Sequence, residues 1–160
     1  MKLIPTGEMT LGPFFPREFA AGANHLSDEI EVMGKITQLD GRALDNVVVE
    51  IWQADRDGRF DNPKFSGWGR AATDAKGIYR FKTIKPGAPK GRIAHINFLI
   101  LYSGLMRQLQ TTMFFELAAD PVLDAVPEKR RALLVARREG TVYRFDLRLR
   151  GERETPFFDD

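Results

Sequence analysis

The side chains best equipped for chemistry are few. Two histidines, His25 and His95, and three tyrosines, Tyr79, Tyr102 and Tyr143, are the imidazole and phenol donors of the chain. No cysteine is present, which removes a thiol nucleophile, a disulfide framework and a zinc knuckle. A protein metal site usually needs three or four ligands in a workable geometry. His95 lies between Ala94 and Ile96 in an apolar run, a setting more typical of a packed, hydrogen-bonded histidine than of a ligand. Tyr79 and Tyr143 fall on the aromatic-apolar faces of their segments and read as core residues. Asp55 and Asp57 flank Arg56, but a paired-carboxylate hydrolase needs both carboxyls aimed at one bond. A polar hairpin loop accounts for them better. No glycine-rich loop leads from a strand into a helix, so no nucleotide cradle is indicated.

The elements that would position these residues are mostly strands. Ile30, Val32, Gly34 and Ile36 alternate with Glu29, Glu31 and Lys35, a period of two. Asp40-Gly41 signals a turn. Val47 to Trp52, Gly77 to Ile84, Ala94 to Leu101, Thr111 to Phe115 and Val142 to Leu149 read as further strands. Residues 55–62 are polar, with Gly58, and form a loop. One helix is predicted from Pro127, suited to a first turn, to Arg138, with Gly140 closing it. Short strands at regular spacing with turn signals define an all-β chain, an antiparallel β-sandwich, with one short helix near the C-terminus. No βαβ rhythm is present. Residues 1–28 differ in kind: Pro5, Pro13 and Pro16 with Gly7, Gly12 and Gly22 indicate an extended N-terminal arm. Leu11, Phe14, Phe15 and Phe19 give that arm something to pack. The sandwich domain is then residues 29–160.

With 160 residues, 43% hydrophobic and 29% charged, the chain suits one ordinary globular domain. No apolar run approaches the ~20 residues of a membrane span, and the N-terminus lacks a signal-peptide core. A cytoplasmic protein with no membrane association is the expectation. Net charge is +2, unevenly placed: residues 128–153 hold nine Lys/Arg against four Asp/Glu. A solvated helix face followed by a strand with outward arginines explains this. A nucleic-acid partner is rejected, because no recognition motif accompanies the charge.

Several stretches carry a resemblance. Val49-Glu50-Ile51-Trp52-Gln53-Ala54 with Asp57-Gly58-Arg59, then Gly69-Arg70, Thr73-Asp74 and Gly77 through Gly87, resemble the intradiol ring-cleaving dioxygenases. Ala94-His95-Ile96-Asn97 sits where that family has its His-x-His segment. Tyr143-Arg144-Phe145-Asp146, the ending from Gly151 to Asp159, and Thr10 to Phe14 are similar to the α chains of the protocatechuate 3,4-dioxygenase branch. The match runs in order along nearly the whole chain.

The resemblance implies a ferric iron held by two tyrosines and two histidines. At the corresponding positions stand Phe60, Pro89, His95 and Asn97, so three of four ligands are lost. Phenylalanine and proline offer no donor, and a carboxamide replaces imidazole poorly. The same loss marks the α chains, which leave iron to a β partner. The implication is an iron-free subunit in a hetero-oligomer of several α–β pairs. Fe(3+) would be bound by the β subunit, which cleaves a catechol-type aromatic acid with O2 in aromatic catabolism. This chain would supply part of the pocket wall through Thr10, Gly12, Pro13 and Phe14, and no catalytic residue of its own. Ser103 stands where α chains carry an arginine near the pocket, so a differently substituted catechol, such as a sulfonated one, also fits. Competing readings are an autonomous enzyme with an unusual site and a binding or structural module detached from ring cleavage.

Overall fold

The computed structural model describes residues 21–103, 105 and 107–158. Nine strands form among them: β1 (Ile30–Thr37), β2 (Val48–Gln53), β3 (Trp68–Ala72), β4 (Ile78–Thr83), β5 (His95–Leu101), β6 (Leu109–Phe114), β7 (Arg137–Glu139), β8 (Val142–Arg144) and β9 (Leu147–Arg148). One sheet runs β4-β1-β8-β7, with β9 also on β1; the other runs β3-β2-β5-β6. The two inner faces make one core. Val32, Ile36, Tyr79, Phe81 and Phe145 enter it from the first sheet, and Val49, Ile51, Ile96, Phe98 and Ile100 from the second.

The sandwich is therefore as expected, with two corrections to its detail. First, it is not antiparallel throughout: β1 pairs antiparallel with β4 but parallel with β8 and β9. The single strand expected from Val142 to Leu149 is split at Phe145-Asp146. There the Lys35 amide donates to the Asp146 carboxylate at 2.9 Å instead of to a backbone carbonyl, and the Phe145 carbonyl accepts from the buried Tyr79 hydroxyl. The buried set Tyr143, Phe145 and Leu147 keeps its period of two across the break.

Second, the helix expected from Pro127 to Arg138 is much shorter. It comprises α2 (Glu128–Arg131) and a 3-10 turn (Ala132–Leu134). Arg137–Glu139 instead pairs with β8, and Gly140, at φ 66°, turns that hairpin. Good helix formers lose here to strand pairing, as weak local propensity commonly does. A further short helix, α1 (Pro121–Ala125), is capped by Asp120, whose side chain accepts from the Val122 and Leu123 amides. No helix among the described residues is long and apolar enough to cross a membrane.

Residues 23–27 lie against the sandwich. The Arg70 amide donates to the Ala23 carbonyl at 2.9 Å, the Lys82 amide to Asn24, and the Leu26 amide to Lys82. They join the edges of β3 and β4, which belong to different sheets.

Gly34 shows how tightly the kink is packed. A Cβ there would overlap the Phe145 carbonyl and approach the Tyr79 hydroxyl. Backbone cannot yield as a flexible side chain can. Gly34→Ala is expected to cost about 3 kcal/mol of stability, measured as a lowered urea midpoint against wild type.

Candidate functional site

The residues singled out from the sequence gather at one end of the second sheet. Strand β5 carries His95 and Asn97 on the same face, opposite to Ile96, Phe98 and Ile100, which enter the core. Across the ladder, Asn97 is the partner of Trp52 on β2 and of Thr112 on β6. Trp52 points outward and stacks on Phe60, with ring centroids 6.1 Å apart and an interplanar angle of 8°. Trp68, the partner of Trp52 on β3, is also partly exposed.

Two loops close on each other beside this face. Asp55 organises the first: one carboxylate oxygen accepts from the amides of Asp57 and Arg59, each at 2.9 Å, and the other from Asn62 Nδ2 at 2.8 Å. These bonds, the Arg59 amide foremost, hold its carboxyl below the ordinary carboxylate range. Asp55 is thus a loop organiser, in line with the hairpin-loop reading. The second loop follows β4, and the Gly87 amide donates to the Asp55 carbonyl at 2.8 Å. Gly58 and Gly87 permit the approach, since a Cβ on either would strike the opposite loop's backbone. Gly58 also has a positive φ of 77°. The structure thereby brings the loop of Phe60 against the loop of Pro89.

Below the second loop, Asp120 is a node. Its carboxylate, buried at the start of α1, accepts from Arg92 Nε at 2.7 Å and from the Ile93 amide at 3.0 Å. Burial alone would raise its pKa, but the hydrogen bonds from Arg92, Ile93 and Val122 outweigh it and hold the carboxyl below its usual range. This node fixes the entry into β5 and hence His95. Sequence reasoning missed it; Asp120-Pro121, a cap residue followed by a first-turn proline, was the available signal.

The four positions differ sharply in what they offer a metal. Phe60, 41% exposed, presents a hydrocarbon ring already stacked on Trp52. Pro89 has no side-chain donor, and its carbonyl accepts from the Arg92 amide. Asn97 Oδ1 accepts from the Thr112 hydroxyl at 3.0 Å. His95 is buried, with Nδ1 2.7 Å from the Ile93 carbonyl. A carbonyl only accepts, so Nδ1 carries the proton and Nε2 the lone pair. Tyr79 and Tyr143 are core residues, and Tyr102 lies in the segment after β5 beside Ser103. Among the described residues no group of three or more His, Cys, Asp or Glu could hold a metal ion. Thr10, Gly12, Pro13 and Phe14 lie outside the described residues.

A two-sheet sandwich with a His-x-Asn segment on an outward strand face, flanked by paired loops after β2 and β4, has the architecture of the ring-cleaving dioxygenases. The family model Dioxygenase_C, described as a dioxygenase, matches residues 17–151, and the chain belongs to that family. It is 33% identical to the protocatechuate 3,4-dioxygenase alpha chain of Burkholderia cepacia, the match covering 98% of both chains. It is 35% identical to the beta chain from the same organism, covering 94% of this chain and 77% of that one. Among solved structures, the dioxygenase domain of a carbohydrate-binding fusion protein from Streptomyces sp. SirexAA-E is 25% identical. It superposes with a TM-score of 0.63 over 92% of this chain and 99% of that one. An intradiol ring-cleavage dioxygenase from Tetranychus urticae shares the fold, with a TM-score of 0.62 at 17% identity over 88% and 91%. The chain is thus a subunit of the intradiol class of oxidoreductases, which use iron. Among the described residues, Phe60, Pro89, His95 and Asn97 do not fit that iron: only His95 has a side-chain lone pair suited to it, and one imidazole does not make a site.

Burial pushes the His95 imidazole below its ordinary range; the Ile93 carbonyl opposes this in part, and the Arg92 charge adds to it. The folded state therefore binds the proton less readily than the unfolded chain. Stability from this group is full above the ordinary histidine pKa and is lost as pH falls toward the lowered one. Thermal midpoints of wild type and His95→Gln, compared from pH 7.5 down to about 5, are expected to converge as pH falls.

Proposed function

We propose that this chain is the iron-free α-type subunit of a protocatechuate 3,4-dioxygenase-type enzyme, working beside a β-type subunit that holds the metal. One observation carries the reading. Three of the four positions at which the family's iron ligands are sought hold Phe60, Pro89 and Asn97, while the surrounding frame of paired loops and sheet is intact. The frame without the donors suits a subunit that shapes a pocket and leaves the chemistry to its partner. The near end-to-end match with an alpha chain supports the same reading.

On this reading the chain divides into an arm, residues 1–28, and a sandwich domain, residues 29–160. The arm supplies Thr10, Gly12, Pro13 and Phe14 to the wall of the partner's pocket. Glycine allows close backbone approach to a flat aromatic ring, proline stiffens the wall, and Phe14 packs beside it. The substrate is a catechol-type aromatic acid, protocatechuate or a related ring, and Ser103 in place of arginine favours a changed ring substituent. The assembly is a hetero-oligomer of α–β pairs in the cytoplasm.

The test is metal analysis with visible absorbance on the chain purified alone and after co-expression with its β-type partner. Iron and a tyrosinate-to-iron colour are expected only in the co-expressed complex. Iron and catechol turnover in the lone chain would overturn the proposal, and failure to form any complex would favour a detached binding module. For the arm, Gly12→Val is expected to lower turnover of the assembled complex about tenfold or more with no change in thermal midpoint. Unchanged kinetics would remove the arm from the pocket.

A further inference from the structure

Several arginines of this chain are paired with carboxylates. Arg56 pairs with Glu29, Arg70 with Glu50, Arg80 with Glu31, Arg92 with Asp120 and Arg131 with Asp124. One region gathers cations that are mostly not so paired. On the outer face of the first sheet, Lys35, Arg137, Arg144, Arg148 and Arg153 line a single groove of about 330 Å³. The one acidic residue there is Asp146, already engaged by Arg144 at 3.1 Å and by the Lys35 amide. Lys35, Arg137, Arg148 and Arg153 form no ion pair among the described residues.

The register makes this concentration a property of the sheet. Arg137 on β7 and Arg144 on β8 are direct cross-strand partners, an arrangement that is destabilising for like charges. Arg148 on β9 stands opposite Thr37, two residues along β1 from Lys35. Each of these β1, β8 and β9 side chains alternates with a buried neighbour, so all face outward together. The 3-10 turn closes one side of the groove. Glu31 on β1 and Glu139 on β7 stand near the other end of the same sheet and bound the groove there.

We infer that this groove binds a compact polyanion carrying adjacent oxyanion groups, phosphoryl or carboxylate. Guanidinium groups bind both types through paired hydrogen bonds. The volume suits a small molecule. A nucleic-acid strand would meet Glu31 and Glu139 at one end of the groove and Glu152 and Glu154 in the hollow beside Arg153. A bound anion would also relieve the Arg137–Arg144 repulsion, so binding and stability are coupled. The inference is independent of ring cleavage and of which subunit holds iron.

The test uses the full 160-residue chain as purified from co-expression, titrated calorimetrically with inorganic pyrophosphate and with citrate at constant ionic strength. Saturable pyrophosphate or citrate binding with a dissociation constant below about 1 mM is expected. Arg137→Gln and Arg148→Gln should each weaken it about tenfold, and Lys64→Gln on the opposite sheet's loop should leave it unchanged. Binding of pyrophosphate alone identifies a phosphoryl ligand, and stronger binding of citrate a polycarboxylate; either supports the groove. A second readout guards against misfolding: pyrophosphate should raise the thermal midpoint of wild type and not of the two variants, whose far-UV spectra should match it. No saturable binding, binding indifferent to both arginine substitutions, or binding of a single-stranded oligonucleotide and of neither small anion would overturn the inference.

Discussion

An aromatic cluster joins the two sheets. Phe98 of β5 meets Tyr79 of β4 edge-on at 5.8 Å and Phe145 at 5.3 Å. The same Tyr79 donates its buried hydroxyl to the Phe145 carbonyl, and that carbonyl occupies the space a side chain on Gly34 would need. A hydroxyl buried without a partner costs free energy, so the kink at Phe145 and the bare backbone at Gly34 are required together. From this knot follow the split between β8 and β9 and the parallel pairing of both with β1. The outward placement of Arg144 and Arg148 follows too.

A second tie links the sheets beneath the loops. Gln53, buried at the end of β2, donates to the Ile84 carbonyl at 3.1 Å and accepts from the Thr83 hydroxyl at 2.8 Å. It joins the ends of β2 and β4, the strands from which the two site loops depart. Their mutual contact through Gly58 and Gly87 is therefore set by the core. Two positions beside these loops have partners of their own: Phe60 stacks on Trp52, and Asn97 accepts from Thr112.

The fold was legible wherever burial alternates along a strand. Ile30 to Ile36 and Tyr79 to Thr83 show their inner faces in the spacing alone, because a sheet with one buried face imposes a period of two. Segments whose state depends on a distant partner were not legible. Trp68–Ala72 carries a glycine, lacks alternation and becomes a strand only through pairing with β2. Residues 135–139 continue a stretch of helical composition, yet Phe114 and β8 draw Val135 and Arg137–Glu139 into extended pairing. For the site, the identities Phe60, Pro89, His95 and Asn97 were readable as a donor inventory. That Asp120 and Arg92 fix the approach to His95 was not, since 28 residues separate them and only packing brings them together.

The sequence by itself determined the sandwich, the core faces of its clear strands and the poverty of metal donors, because these follow from residue type and short-range period. Tertiary structure alone decided where the strands break, which loops touch and where the charge collects. Nine Lys/Arg between residues 128 and 153 read as an undirected excess. Parallel pairing with β1 sorts Arg144 and Arg148 onto one outer face and adds Lys35, more than a hundred residues away, because strand register places side chains that the chain order keeps apart.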